Sequence, residues 1–292
     1  MIIINASQID YSKIIIETIN ELFSTLFSSL DNSLYSLLDK SIFINEEIVS
    51  DSFFNSIFNP TFGLPAIADA ILIGFVIYYC FKLSMSQFSG TNIEKPYQFL
   101  TKVLLIAICI NCSSFICEKI LGLNNLVTDA LRELGQTVSG QEISFNNLIE
   151  KSIYINTSQE FNLFSFDGLL KSFFSFGLIN LLFSYSIRYI MIKIFIILCP
   201  CALLSLATCS SSWFFKSWLR TFLSLLFVQS FIAIILTLLF SLNVKASDVF
   251  SQISYISTIF ILTKANNYIK ELIGGLSLDI GTNISSLLRL FK

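Results

Sequence analysis

Of the chain's 292 residues, 54% are apolar and only 13% charged, and 18 basic against 20 acidic residues leave a formal charge of −2. With soluble domains near ~25% charged, a mean hydropathy of +0.74 excludes an ordinary water-soluble domain, because so much apolar surface has to face lipid. The chain has no histidine, which removes His-dependent triads, His-ligated metals and imidazole bases, and its near-neutral charge offers no global field for nucleic acid.

These numbers predict an all-α, polytopic membrane bundle of about five transmembrane helices, six at most, with amphipathic helices at both ends. Residues 1–64 read as an extracytoplasmic, amphipathic N-terminal region. Ile15, Ile19, Leu22, Leu26 and Leu30 recur at helical spacing, Phe23, Phe27, Leu34 and Leu37 widen the stripe, and Glu17, Glu21, Ser24, Ser28 and Asp31 take the other face. The start MIIINASQIDYSK lacks the basic and long apolar regions of a cleaved signal peptide. Asn59, Pro60, Gly63 and Pro65 break the chain before the first span.

A spanning helix needs ~20 apolar residues with few charges. Two such runs occupy 65–117, at 65–81 and at about 100–117. Residues 118–171 follow as an extracytoplasmic loop with scattered apolar positions, interrupted at Gly135 to Gly140. Three further spans are expected within 172–242, at 172–187, 194–210 and 221–242; the last is free of charge and is entered by Trp213, Lys216, Trp218 and Arg220 as interfacial anchors. Residues 243–292 read as a membrane-associated cytoplasmic region. Within it, 249–263 is a short, serine-rich sixth candidate, and Ile269, Leu272, Ile273, Leu276, Ile280, Ile284, Leu287, Leu288 and Phe291 form a second amphipathic stripe.

With five spans and the N-terminus outside, the inside segments carry Lys82, Lys95, Lys102, Arg188, Lys193, Lys245, Lys264, Lys270, Arg289 and Lys292. Their basic density is about twice that outside, as the positive-inside rule expects; Lys216 and Arg220 dissent.

No catalytic or cofactor-binding signature emerges. Cys199, Pro200 and Cys201 form a CPC tripeptide of the kind that holds soft metals in heavy-metal pumps, but no phosphorylation sequence or nucleotide-binding domain accompanies it, so Pro200 reads as a kink and the metal reading is rejected. Cys109 and Cys112 form a CxxC without partner ligands. All seven cysteines read as buried free thiols packed as small hydrophobes. Polar residues at membrane depth are the site candidates, because lipid cannot solvate them: Asp69, Asn111, Asn180, Lys193 and Gln229. Interhelical hydrogen bonding also accounts for Asn111, Asn180 and Gln229.

From about residue 190 the sequence IKIFIILCPCALLSLATCSSSWFFKSWLRTFLSLLFVQSFIAIILTLL, followed by ILTKANNYIKELIGGLS, resembles the TrbL-type conjugal transfer proteins. The points of likeness are the span with Pro200, the Trp213, Lys216 and Trp218 link, the long span with Gln229, and the stretch ending in Gly274 and Gly275. FNPTFGLPAIADAIL and the turn at Phe88 to Gly90 add to them, so the likeness covers roughly 60–100 and 188–280. It implies a non-enzymatic inner-membrane subunit of a type IV secretion system. Such a subunit works as an oligomer in the cytoplasmic membrane beside other secretion subunits and separate ATPases, and handles single-stranded DNA and relaxase in transit. On that reading Lys82, Lys95, Lys102, Lys264 and Lys270 form a basic inner rim facing the strand. A small-solute or metal permease is the alternative, motivated by the CPC and Asp69.

Overall fold

Long apolar runs give backbone N–H and C=O groups no water to bond, so their hydrogen bonds must close inside helices. The computed structural model describes residues 17–22, 25, 32–45, 48–49, 51–89, 95–145, 147, 166–208, 210–241 and 249–273, and among these it contains helices and no strand. The elements are α1 (Asn32–Ile42), α2 (Ser52–Ile57), α3 (Leu64–Ser89), α4 (Pro96–Asn111), α5 (Ser113–Ser139), α6 (Phe166–Ile197), α7 (Cys199–Leu204) followed by a 3-10 turn at Ser205–Ala207, α8 (Ser212–Ser241) and α9 (Val249–Ile273).

Among the described residues, three helices are long and apolar enough to cross a membrane: Leu64–Ser86, Ser172–Ile197 and Ser212–Ser241. A fourth span arises if α4 and α5, bent by 68° at their junction, are counted as one. The expected spans at 172–187 and 194–210 are not two helices, since α6 runs unbroken to Ile197. Arg188 and Lys193 are expected in an inside segment, 188–193, between them. Instead Arg188 is bonded inside the bundle and Lys193 pairs with Asp51 at 3.5 Å, so neither charge needs to leave the helix. Residues 198–210, read as the rest of a span, hold the helix break, short α7 and a turn in which Ser211 Oγ donates to the Ser205 carbonyl at 2.7 Å. Pro200 sits in the first turn of α7, where its missing N–H costs no bond.

Residues 118–139, read as the start of an external loop, are also helix. Ser113, Cys117, Leu121, Thr128 and Gly135 of α5 are buried, while Phe115, Leu123, Leu126, Leu134 and Val138 face outward. Both faces mix apolar and polar side chains: Cys117 and Leu121 are buried in the core, and Lys119, Asp129 and Glu133 lie exposed among the outer apolar residues.

The pairings set the packing. On α5, Asn124, Thr128 and Gly135 meet Gln229, Ser230 and Thr237 of α8 in the same order, so the two helices run parallel. Phe195 and Arg188 of α6 meet Trp218 and Leu225 of α8 in reverse order, and α9 runs alongside α6 through Gly177 with Ile259 and Tyr185 with Leu262. Helix α8 is the hub: 61% of its apolar window is buried, against 17% for α3. Helices α3 and α4 form an antiparallel hairpin, tied by Asp69 with Asn111 and by the stacked rings of Tyr79 and Phe99, 3.8 Å apart.

Small residues permit the closest approaches. A Cβ on Gly135 would strike Thr237 Oγ1 and lie 2.9 Å from Ile143 Cγ1, and one on Gly177 would lie 2.7 Å from Ile259 Cγ2. Gly140 ends α5 in the left-handed region, with φ +68°, where its N–H bonds the Gln136 carbonyl at 2.8 Å.

Most of the N-terminal stripe lies outside the described residues. Of its members, Leu22 and Leu37 are exposed; Leu38 and Ile42 of α1, which are not part of the expected stripe, are buried. The second stripe beyond Ile273, together with Gly274 and Gly275, also lies outside them.

Candidate functional site

A polar layer crosses the middle of the bundle around α8, although α8 supplies few polar side chains. Gln229 is 2% exposed. Its Oε1 accepts from the Ile44 N–H and from Asn124 Nδ2, each at 3.3 Å, and its Nε2 donates to Asn125 Oδ1 at 3.2 Å. One residue on, the hydroxyls of Ser230 and Thr128 lie 3.0 Å apart. One turn back, the Leu225 carbonyl accepts from Arg188 Nε at 2.8 Å, and Arg188 Nη1 donates to the Ile42 carbonyl at 3.0 Å. Ile42 is the last residue of α1, so the guanidinium satisfies a helix-end carbonyl where the helix dipole favours positive charge.

The layer thus joins α1, α5, α6 and α8 through side chains on three of them and backbone of the fourth. At its edge, Arg132 Nε donates to the Ile143 carbonyl at 3.1 Å and the guanidinium lies 4.5 Å from the Phe43 ring centroid. Asp39 Oδ1 accepts from the Phe145 N–H at 3.2 Å. Burial raises the Asp39 carboxyl above its ordinary range, and the Phe145 bond and Arg132 only partly oppose it.

Two expected site residues meet each other elsewhere. Asn111 Nδ2 donates to Asp69 Oδ2 at 2.9 Å, tying α3 to the α4–α5 junction, while Asp69 Oδ1 is buried without a hydrogen-bond partner. Lys193 lies over the rings of Tyr189 and Phe54 as well as beside Asp51. Asn180 is exposed on α6. Asn124, Asn125, Thr128 and Arg188, which complete the layer, were missed because the first three fell in a supposed loop and the last in a supposed inside segment. The spacing of Asn124, Thr128 and Gly135 on one helical face was the available signal.

Lys82 and Lys95 are exposed at the end of the α3–α4 hairpin where the chain passes from one helix to the other, Lys102 is half-buried on α4, and Lys264 is exposed on α9; the Lys270 side chain is outside the described residues. Trp213 and Lys216 are exposed as expected of interfacial anchors. Trp218 is not: it is 4% exposed, its Nε1 donates to the Phe195 carbonyl at 2.9 Å, and it stacks between Phe215 and Phe222. It fastens α8 to α6.

The six described cysteines are free, but only Cys117 and Cys199 are buried. Cys109 and Cys201 are half-buried, Cys80 and Cys112 are exposed, and Cys209 lies outside the described residues. Cys199 Sγ donates to the Ser113 carbonyl at 3.8 Å. Among the described residues no group of three or more Cys, Asp or Glu is placed to hold a metal. No family model matches the chain, and no curated protein matches it.

Proposed function

We propose that this chain is a channel or scaffold subunit of a conjugative type IV secretion system in the cytoplasmic membrane. It supports the transfer of single-stranded DNA and relaxase as part of an oligomer, while separate ATPases supply the energy. The observation that carries this reading is the polar layer: Gln229, Arg188, Asn124 and Thr128 spend their hydrogen-bonding groups on other helices of the same chain, which suits a brace more than a catalyst. The likeness of residues 188–280 to TrbL-type proteins supplies the machine to be braced.

In this reading the membrane is crossed by α3, by α4 with α5, by α6, by α8 and by α9. That restores five crossings with the N-terminus outside and the C-terminus inside. Lys82, Lys95, Lys216, Arg220, Lys264 and Lys270 then share the inner side, and the two residues that dissented no longer do. Deleting the gene should abolish conjugation and leave small-solute uptake unchanged, with wild-type complementation restoring transfer. Normal conjugation in the deletant would refute the proposal.

A small-solute or metal permease is the second reading. It draws on the partnerless Asp69 Oδ1 beside a broken helix, the setting in which transporters hold ions. Uptake and metal tolerance retained after Asp69→Asn and after Cys199→Ala with Cys201→Ala would count against it.

A further inference from the structure

Phe43, Ile44 and Asn45 follow α1 without regular helix, yet Ile42 and Ile44 are 0% and 1% exposed among the spanning helices. Irregular backbone survives at membrane depth only where protein or a water-filled cavity receives it. Two side chains receive it here: Arg188 Nη1 binds the Ile42 carbonyl, and Gln229 Oε1 takes the Ile44 N–H. Arg188 is itself 1% exposed, its Nη2 has no hydrogen-bond partner, and among the described residues it forms no ion pair. A guanidinium held at this depth by two carbonyls and the Tyr185 ring, 6.0 Å from its centroid, with no anionic partner, is a costly arrangement, and an anionic oxygen would satisfy it better than a carbonyl does.

We propose that Ile42–Asn45 is a displaceable strap that plugs a passage through this bundle, and that Arg188 makes that passage selective for anions. Strap and anion compete for the same guanidinium. With the strap withdrawn, Arg188 Nη1 joins Nη2 as a donor facing the vacated space, Gln229 keeps its bonds to Asn124 and Asn125, and no described carboxylate contacts Arg188 to cancel its charge. The inference rests on the reading of this chain as lining a transfer route, and it adds the closing element and the sign of the charge that passes.

The test uses the full chain in vesicles of phosphatidylethanolamine and phosphatidylglycerol enclosing an iodide-quenched dye. Ile44→Gly removes the side chain that seats the strap and keeps its N–H; Gln229→Leu removes the acceptor and leaves strap and Arg188 intact. Each should admit iodide faster than wild type, with iodide preferred over sodium; for Gln229→Leu the gain should be about threefold or more, the population shift that loss of the strap's one hydrogen bond to Gln229 produces. Adding Arg188→Met to Ile44→Gly should abolish that preference. Wild-type tightness in both folded single variants, or a leak without anion preference, would overturn the plug. Anion flux in the variants with normal conjugation in the gene deletant would instead overturn the secretion reading and leave the plug standing.

Discussion

Replacing Gln229 by Met keeps the side-chain length and volume and removes three hydrogen bonds, to the Ile44 N–H, Asn124 and Asn125. In a soluble core an apolar substitute of this shape would recover the desolvation of the amide and offset much of the loss. In a bilayer the separated helix α8 leaves Gln229 in lipid, so Met relieves the dissociated state more than the packed one. Intramembrane hydrogen bonds average about 0.6 kcal/mol each, and three of them make the variant less stable by about 2 kcal/mol. At about 1.4 kcal/mol per factor of ten, that is roughly a thirtyfold shift in the unfolding equilibrium. Titration of the detergent-solubilised protein with sodium dodecyl sulfate, followed by circular dichroism, measures it. Asn124→Leu alone should cost about one bond, and the double variant should cost less than the sum, since the Asn124 to Gln229 bond is then counted once. A Gln229→Met protein as stable as wild type, or more so, would refute the claim that this layer braces the bundle.

Gly135→Ala and Gly177→Ala should each lower stability by about 1–3 kcal/mol as α5 and α6 are forced from their neighbours; Gly74→Ala, which adds a methyl to open space, should be silent in the same titration. Trp218→Phe keeps the ring stack and loses the bond to Phe195, for about 1 kcal/mol, whereas Trp218→Ala should cost about 3–5 kcal/mol. Asp39 binds its proton more readily folded than unfolded, so its contribution is favourable at low pH and is lost as pH rises from its ordinary value, about 4, through the raised folded one. Asp39→Asn should therefore be more stable than wild type at neutral pH, with the difference vanishing in acid, as thermal unfolding across pH will show. If Lys82, Lys95 and Lys102 form a cationic rim for the strand, changing all three to Gln should reduce transfer frequency at normal protein level, and unchanged transfer would exclude them.

The sequence made the helical, lipid-facing character plain because charge is scarce and the apolar runs are long. It also pointed to Gln229, a lone amide in an apolar span, and to Asp69 and Asn111, which prove to be each other's partners. Its failures share a cause. Spans are recognised in the sequence by scarcity of charge, so they end at Arg188, yet Arg188 stays inside the helix because backbone carbonyls of α1 and α8 receive it. Helix α5 reads as loop in the sequence because Glu118, Lys119, Asp129, Arg132 and Glu133 break up its apolar positions. Trp218 was assigned to the interface by its type, although its indole N–H finds the Phe195 carbonyl in the core. In each case the deciding partner lies far away in sequence, so local pattern could not supply it.

The central claim is that this bundle braces a larger transfer machine. Affinity purification of the tagged full chain from donor cells in mild detergent tests it most directly. The account predicts an oligomer that carries secretion subunits and a secretion ATPase, and whose integrity falls when Gln229→Met loosens the polar layer. A lone chain that recovers none of these subunits, from cells that conjugate normally, would contradict it.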